Sequence, residues 1–299
     1  MLDDGRILVQ SIDQIKAFVN DPWIFGRIAT NHCLSDIYAM GCEPHSALAV
    51  VGIPFAAKDF SRAQLKELML SCTEALNEHN CALVGGHSSE SEDLHFGLCV
   101  NGFIDEEKLL TKGGMQGGDI LILTKPLGTG TLLAADMRYK ASHNWMHNAL
   151  EQMLQSNKMA AACLIKQSAT ACTDITGFGL AGHLMEMLSA KNAEVQLSLS
   201  DIAPLNGALD TLQQNIFSSL HNDNKLIAAN SIYNYEAFAH DPKFELLFDP
   251  QTAGGLLASV PDENAEECLQ ELGDYGYSDA KAIGRIAKLD GDLPSIVLT

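Results

Sequence analysis

The sequence predicts two domains of the α/β or α+β class, in which strands and helices alternate. Three observations support this fold class. The chain has 299 residues, 46% of them hydrophobic, which is enough for about two hydrophobic cores. Segments typical of strands and of helices alternate along both halves. Glycine is concentrated in "KGGMQGGD", so we place a boundary there between residues 1–117 and 118–299.

The first domain is predicted to have the order βαβαββ. "ILVQSI" at residues 7–12 is typical of a strand, and residues 22–41 have apolar side chains at helical spacing. "SALAVVGIPF" predicts a second strand. The helix over 61–80 is expected to begin at Ser61, whose hydroxyl would cap it. "CALVGGHS" then predicts a strand that ends at a glycine pair, and "HFGLCVNGFI" predicts the last strand.

The second domain is predicted to alternate in the same way. Its expected strands are "DILILTKPLG", "AEVQLSLS", "FELLFDPQ", "GGLLASVP" and "AKAIGRIA". Its expected helices cover residues 129–140, 148–168, 204–215 and 262–276, with one more after "TDITGFG". This pattern favours a layered α/β arrangement.

The composition argues against several classes of partner. Lys and Arg total 19 against 38 Asp and Glu, a formal charge of -19, so nucleic acid and anionic membrane surfaces are poor partners. A nucleotide would need divalent cations to bridge it to the carboxylates. The eight cysteines include no Cys-x-x-Cys pair, which is typical of buried thiols in a reducing compartment. We expect a cytoplasmic protein without a membrane span, signal peptide or zinc site.

The first candidate site combines acidic and amide side chains from two elements. Asp13 ends the first predicted strand, and Asn31 and Asp36 lie in the helix that follows. They can face one cleft only if that helix packs beside the strand. Carboxylates that converge repel one another unless a cation lies between them, and Mg²⁺ prefers oxygen ligands. The alternative is that each aspartate caps a helix or lies on a solvated surface.

Two glycine-containing segments could approach a phosphate group. Gly85 and Gly86 would let the backbone come close to a ligand, while His87 and Ser88 offer hydrogen-bond donors. Lys125 precedes a turn between glycines and a helix N-terminus, where free amides attract anions. The spacing is not that of a P-loop. An ordinary turn remains the alternative for both segments.

Two further segments place an aspartate beside glycines. Asp174 stands in "TDITGFG", where Gly177 and Gly179 permit backbone geometry closed to other residues. Its carboxylate could cap the next helix or hold a metal in a nucleotide cleft, and a cap alone requires neither glycine. In "FDPQTAGGLLASV", Asp249 and Pro250 predict a turn before a strand. A plain turn is an equal alternative there.

Taken together, five segments resemble those of the selenophosphate synthetases (selenide, water dikinases), in the superfamily of aminoimidazole ribonucleotide synthetase. They are "NHCLSDIYAMG", "LVGGHS", "GDILILTKPLGTGT", "TDITGFGLAGHL" and "DPQTAGGLL", within a similarity from about residue 7 to about residue 290. The resemblance implies a two-domain protomer whose N-terminal sheets form a barrel across a homodimer, with ATP against the C-terminal domain. It also implies conversion of ATP, selenide and water into selenophosphate, AMP and phosphate with Mg²⁺.

The resemblance implies roles for individual residues of this sequence. Asp36 would contact ATP and Mg²⁺, Asp13 would contact ATP, and Asp174 would be a metal ligand from the second domain. Gly86, His87 and Ser88 would form a loop that reaches the nucleotide of the partner subunit. The other implied ATP contacts are Gly85, Asn31 and Lys125.

The sequence departs from the family pattern at its beginning. The family has, before the first strand, a glycine-rich segment with a catalytic Cys or selenocysteine and a Lys, and then a further aspartate motif. We find no such segment here and assign no catalytic nucleophile. We therefore expect an N-terminally truncated, impaired fragment, trimmed from a fusion behind an NADH-dehydrogenase-like flavoprotein domain. A non-catalytic nucleotide-binding or dimerisation module, or a sister ATP enzyme, remains the alternative. Ala253 stands where many relatives have serine.

Overall fold

The structure is a computed structural model that describes residues 2, 4–288 and 295–299. It contains two compact units. The first extends to Leu109 and also includes Leu154–Lys158, and the second consists of Leu110–Met153 and Met159–Thr299. The division into domains at residue 117 stays a prediction.

The first unit has the predicted βαβαββ order. Its elements are β1 Ile7–Lys16, α1 Pro22–Ala39, β2 Pro44–Pro54, α2 Lys58–Glu78, β3 Ala82–Ser91 and β4 His95–Ile104. The strands form one sheet in the order β1-β4-β2-β3, in which β2 and β3 are parallel and the other pairs antiparallel. Within the described residues this sheet is open, with β1 and β3 at its edges, and does not close into a barrel.

Helix α1 starts as its sequence predicts and forms much of the first core. The Asp21 side chain accepts hydrogen bonds from the amides of Trp23 and Ile24, and Pro22 occupies the first helical position, where its missing N–H costs nothing. The helix packs against α2, β4 and β1. Phe25 is fully buried in this contact, so α1 is fixed beside the strand that carries Asp13.

Two boundaries in the first unit differ from the prediction. Helix α2 begins at Lys58, so Ser61 lies inside it and does not cap it. Strand β3 does not end at the glycines, because Gly86 and the residues after it pair with β2 up to Ser91. A Cβ atom at Gly86 would lie 2.0 Å from the Ala49 carbonyl oxygen, so the glycine serves close strand packing and does not mark a strand end.

The described residues of the second unit form a larger mixed α/β arrangement around a seven-stranded sheet. Its strands are β5 Ile120–Leu123, β6 Ala171–Asp174, β7 Glu194–Leu197, β8 Ile232–Tyr233, β9 Leu256–Val260, β10 Lys281–Lys288 and β11 Ser295–Leu298. The sheet order is β6-β9-β5-β10-β7-β11-β8. The helices are α3 Thr129–Met137, α4 His143–Leu154, α5 Lys158–Lys166, α6 Gly179–Ser189, α7 Ala208–Gln213, α8 His221–Ala228, α9 Tyr235–Phe238, α10 Pro242–Leu246 and α11 Asp262–Asp274. Among the described residues, no helix is long and apolar enough to span a bilayer.

Two predicted elements of this unit are wrong. The single helix expected over 148–168 is divided into α4 and α5, and the Ser156 hydroxyl accepts a hydrogen bond from the Lys158 amide where the second helix begins. The strand expected over 244–251 is replaced by helix α10, which Asp241 caps through the Lys243 amide after Pro242 sets the first turn. The sequence also did not predict β6, α8, β8, α9 and β11.

Most of the cysteines are buried, as the sequence suggested. All eight belong to the described residues, form no disulfide and, apart from Cys99, are buried. Burial raises the pKa of Cys42, Cys72 and Cys81 to about 11, so these thiols are protonated at neutral pH. They act as small apolar side chains of the core.

Candidate functional site

The carboxylates of Asp13 and Asp36 face the same region between β1 and α1. Asp13 Oδ2 lies 2.9 Å from His32 Nε2, and the Ser11 hydroxyl donates a hydrogen bond to Asp36 Oδ2. Side chains two residues apart on a strand share one face, so Ser11 and Asp13 both point towards α1. The helix thus packs beside the strand as the predicted pairing of the two aspartates requires.

The surroundings of Asp13 favour its ionised form. Burial raises the pKa of its carboxyl group, but the hydrogen bond and charge of His32 and the hydrogen bond from the Gln14 amide outweigh burial and leave the pKa below its usual value. Asp13 is therefore an anion at neutral pH. Together with Asp36 and the Ser11 hydroxyl, it forms a set of hard oxygen donors, which suits Mg²⁺ better than softer metals.

The described side chains do not by themselves form a complete metal site. No three His, Cys, Asp or Glu residues of the described ranges come together as ligands. Mg²⁺ in nucleotide enzymes ordinarily takes one or two carboxylates and obtains its other ligands from phosphate oxygens and water. The paired aspartates on β1 and α1 fit that mode of binding.

Asn31, predicted as an ATP contact, is buried and holds another part of the chain. Its Nδ2 donates a hydrogen bond to the Leu154 carbonyl oxygen at 2.7 Å. Four residues further along α1, the Ser35 hydroxyl accepts a hydrogen bond from Asn157 Nδ2 at 2.8 Å. These bonds fix Leu154–Lys158 to the first unit, and the contact of Asn31 with ATP stays a prediction.

One histidine near the aspartates and one pair of histidines were not predicted as site residues. His32 lies one helical turn before Asp36 and beside Asn31, and this spacing was the available signal for its place near the aspartates. His143 and His147 on α4 do form a His-x-x-x-His pair, with ring centroids 6.2 Å apart. No third His, Cys, Asp or Glu of the described residues joins them as a ligand.

Residues Gly85, Gly86, His87 and Ser88 lie on β3, at the opposite edge of the sheet from Asp13. All four are exposed and line a cavity of about 480 Å³ between β3 and α2. Strands β4 and β2 separate β3 from β1, and three spacings between neighbouring strands amount to roughly 14 Å. A single sheet therefore does not bring these four residues and Asp13 together.

Asp174 is the buried last residue of β6, an outer strand of the seven-stranded sheet. It does not cap the following helix, because the N-cap of α6 is Phe178 and no side chain bonds there. The capping alternative is therefore wrong. Gly179, with φ +69°, has the left-handed backbone that the sequence suggested, and a Cβ atom there would lie 2.9 Å from the Leu247 carbonyl oxygen. Gly177 has no positive φ, so the same expectation for it is wrong.

The "DPQTAGG" segment caps helix α3 and is more than a plain turn. Gln251 Oε1 accepts hydrogen bonds from the Gly128 and Thr129 amides and the Thr129 hydroxyl, at 3.0 to 3.1 Å. Asp249 Oδ2 accepts one from the Gly130 amide at 3.0 Å. The premise that this helix N-terminus offers free amides to an anion is therefore wrong, because protein side chains occupy those amides.

Lys125 is buried against the same segment. Its ammonium group donates hydrogen bonds to the carbonyl oxygens of Ala253 at 3.1 Å and Gln152 at 3.3 Å, and burial lowers its pKa to about 7. Ala253 has a positive φ of 47°, which is uncommon for a residue with a side chain. The contact of Lys125 with ATP stays a prediction.

Comparison with protein families identifies both parts of the chain. The profile of the AIR synthase related protein, N-terminal domain, matches residues 1–104. That of the AIR synthase related protein, C-terminal domain, matches residues 116–292.

Relatives of known activity are similar over most of the chain. The selenide, water dikinase of Pelobacter propionicus is 36% identical over 287 residues, which are 96% of this chain and 82% of that protein. The selenide, water dikinase of Clostridioides difficile is 34% identical over 290 residues, with 95% of this chain and 81% of that protein covered.

Solved structures share the fold at low sequence identity. Thiamine monophosphate kinase from Aquifex aeolicus has a TM-score of 0.70 at 18% identity, and the similarity covers 97% of this chain and 87% of that one. Hydrogenase maturation protein HypE in complex with ATP has a TM-score of 0.70 at 16% identity, with coverage of 94% and 77%.

Proposed function

Since the chain belongs to the AIR synthase-related family and, within it, to the selenide, water dikinases, we propose that it uses ATP, selenide and water to make selenophosphate, AMP and phosphate with Mg²⁺. The observation that carries the proposal is the convergence of Asp13 and Asp36 between β1 and α1, each held by a neighbouring polar side chain. A chain with a formal charge of -19 attracts a triphosphate only through bound cations.

We assign the carboxylates separate roles. Asp36 and Asp174 are proposed ligands of Mg²⁺, and Asp13 is a proposed contact of the nucleotide site. When bound, Mg²⁺ neutralises phosphate charge as the phosphoryl groups are transferred. His32 keeps Asp13 ionised, and the Ser11 hydroxyl orients the Asp36 carboxylate. Both carboxylates therefore hold their positions before the nucleotide binds.

We also propose that the active protein is a homodimer in which the N-terminal sheets form a barrel. Ile12, Cys99 and Leu48 lie in one row across β1, β4 and β2, and Ile12 is 71% and Leu48 41% exposed. Burial of this apolar face against a second copy would stabilise the assembly. A second sheet would also supply the residues of β3 that one chain keeps away from Asp13.

The truncation, the impaired activity and the upstream flavoprotein domain stay predictions. The full natural gene sequence tests the first and the last of these. Activity is tested by incubating the protein with ATP, Mg²⁺ and selenide and following AMP and selenophosphate by ³¹P NMR. Nucleotide binding by the full-length natural protein without AMP formation would favour the non-catalytic alternative.

The nucleotide site is tested by calorimetric titration of ATP with and without Mg²⁺. We expect binding to require Mg²⁺ and to weaken at least tenfold in Asp36→Asn and in Asp174→Asn, since each removes a charged metal ligand. Asp105→Asn is the matched control, because its exposed ion pair with Lys108 contributes little. Unchanged binding in both site variants, or equal binding in EDTA, would refute the proposed site.

A further inference from the structure

The segment that follows Asp174 is held on both sides by main-chain hydrogen bonds. The Ile175 amide donates to the Gly255 carbonyl oxygen at 2.9 Å, and the Gln251 amide donates to the Thr176 carbonyl oxygen at 2.9 Å. The two chains approach so closely that a Cβ atom at Gly254 would lie 2.1 Å from the Ile175 carbonyl oxygen. The "DPQTAGG" residues thus pack directly against the backbone that follows Asp174.

A buried histidine also supports this segment. His183, one turn inside α6, accepts a hydrogen bond at Nε2 from the Thr176 amide at 3.1 Å, and the Thr176 hydroxyl lies 3.2 Å from the same nitrogen. An amide can only donate, so Nε2 must be unprotonated and the ring proton must be on Nδ1. Nδ1 lies 3.5 Å from Glu186 Oε2, which suits that tautomer.

The protonation state of His183 agrees with this arrangement. Burial lowers its pKa to about 4, although the carboxylate of Glu186 opposes the shift. Lys112, paired with Glu186 at 2.6 Å, acts in the same direction as burial. The ring is therefore a neutral acceptor at the pH of most assays.

A side chain from α8 holds the next residue. Asn224 Nδ2 donates to the Gly177 carbonyl oxygen at 2.9 Å and to the Phe248 carbonyl oxygen at 3.0 Å. Residues 175–177 are thus tied to three parts of the chain: α6, α8 and the "DPQTAGG" segment. Such a network fixes the backbone that leads out of Asp174.

We propose that His183 is a positioning residue for Asp174. By accepting the hydrogen bond of the Thr176 amide, it fixes the backbone that follows Asp174. The inference rests on the proposed function of Asp174. Mg²⁺ requires near-ideal octahedral geometry, and groups that hold a ligand in place commonly affect metal affinity 10- to 100-fold. Loss of the acceptor would therefore reduce Mg²⁺-ATP affinity beyond any general loss of stability.

Three variants test the role of the acceptor. His183→Phe retains a ring and removes the acceptor, whereas in His183→Gln the Oε1 atom can take the place of Nε2. Should phenylalanine prevent folding, His183→Asn serves instead, because its amide reaches only the level of Nδ1. Leu184→Ala is the matched control, since it opens a cavity in the same helix at a fully buried residue without a polar contact to the segment.

Two measurements separate this inference from the proposed function. The exchange rate of the Thr176 amide is measured without nucleotide and corrected for the global stability of each variant. Relative to the parent, the rate should increase at least tenfold more in His183→Phe than in His183→Gln. Calorimetry should show Mg²⁺-ATP binding weakened at least tenfold in His183→Phe and within threefold of the parent in His183→Gln and Leu184→Ala.

The possible results distinguish a failure of the role of His183 from a failure of the proposed function of Asp174. Slow Thr176 exchange in His183→Phe, or equally weak nucleotide binding in the Gln and Phe variants, would overturn the inference. Unchanged nucleotide binding in His183→Phe would overturn it as well, provided that Asp174→Asn still binds weakly. Unchanged binding in Asp174→Asn would instead refute the proposed function of that aspartate, and with it the role assigned to His183, whatever the exchange rate shows about the backbone.

Discussion

Asp249 is fully buried, and its two carboxyl oxygens have different surroundings. Oδ2 accepts the Gly130 amide, whereas Oδ1 is buried without a hydrogen-bond partner among the described residues. Burial raises the pKa of this carboxyl group to about 7, against the opposing hydrogen bonds of Thr131, Gln251 and Gly130. The folded protein thus holds a proton on Asp249 at pH values where the unfolded chain has lost it.

The stability of the protein should consequently fall as pH rises through this range. The contribution of Asp249 is fully present below its unfolded pKa of 3.8 and is lost as pH rises through about 7. By linkage, this amounts to roughly 4 kcal/mol at most. We expect Asp249→Asn to remove this part of the pH dependence, as measured by urea unfolding at pH 4.5 and pH 8.

The titration of Lys125 does not obscure the pH dependence that Asp249 contributes. Its pKa is lowered by burial to about 7, so its contribution rises with pH above 7 and is present in both the parent and the variant. The exposed Asp262→Asn serves as the control substitution, since Asp262 is at the surface with Arg285. Equal pH slopes in the parent and in Asp249→Asn would show that Asp249 is ionised in the folded state.

The sequence indicated candidate acids more readily than the residues that support them. Asp13, Asp36 and Asp174 stand out because their neighbours form recognisable segments. His183 and His32 do not stand out, because the role of a histidine depends on which ring nitrogen faces which atom in three dimensions. The burial of Asp249 could not be predicted either, since a sequence such as "FDPQ" is also typical of an exposed turn.

At the scale of elements, the N-terminus of α3 depends on a side chain more than 120 residues away. The Gln251 carbonyl group accepts two amides and one hydroxyl from Gly128 and Thr129. Gln251→Ala should leave these donors without that acceptor and lower the free energy of unfolding by about 1–2 kcal/mol. Chemical denaturation measures the loss.

A matched control isolates the capping effect of Gln251. Gln214 is exposed and its Nε2 donates to the Asp210 carbonyl oxygen, so Gln214→Ala should change stability by less than about 0.5 kcal/mol. Similar values for the two variants would contradict the assigned role. A cap of this kind cannot be predicted locally, because the acceptor and the helix are distant in sequence.

Local signals explain which elements were predicted correctly. Alternating strands and helices gave the order of the first unit, because each helix there has a clear apolar period. The expected strand at 244–251 failed because its apolar run outweighed the Asp241-Pro242 start signal of α10. The end of β3 was misplaced because glycine is a weak strand former, and only the pairing with β2 extends it to Ser91.

For the whole molecule, the exposed apolar face of the first sheet leads to a prediction about assembly. A charge at Ile12, in the middle of that face, would have to be buried in the proposed dimer without a partner. Ile12→Lys should therefore yield monomers in sedimentation velocity at concentrations where the parent is dimeric. Its Mg²⁺-ATP affinity should also fall, because β3 of a second copy would no longer be present.

The control for the assembly prediction is a lysine at another exposed apolar residue. Tyr139 is 97% exposed in the second unit, and Tyr139→Lys should retain the sedimentation coefficient of the parent. A monomeric parent, or a dimeric Ile12→Lys protein, would contradict the proposed assembly. The proposed barrel was predicted from family resemblance alone, since the sheet of one chain is open within the described residues.

Strand β3 also governs how the purified protein must be handled. Eight of its ten residues are exposed, and one side of its backbone faces outward along the edge of the sheet. An unpaired edge of this length offers main-chain donors and acceptors to extended segments of other molecules. In the proposed dimer a second copy would cover part of this edge, so dilution below the dimer dissociation constant should increase the fraction of molecules whose β3 edge is free.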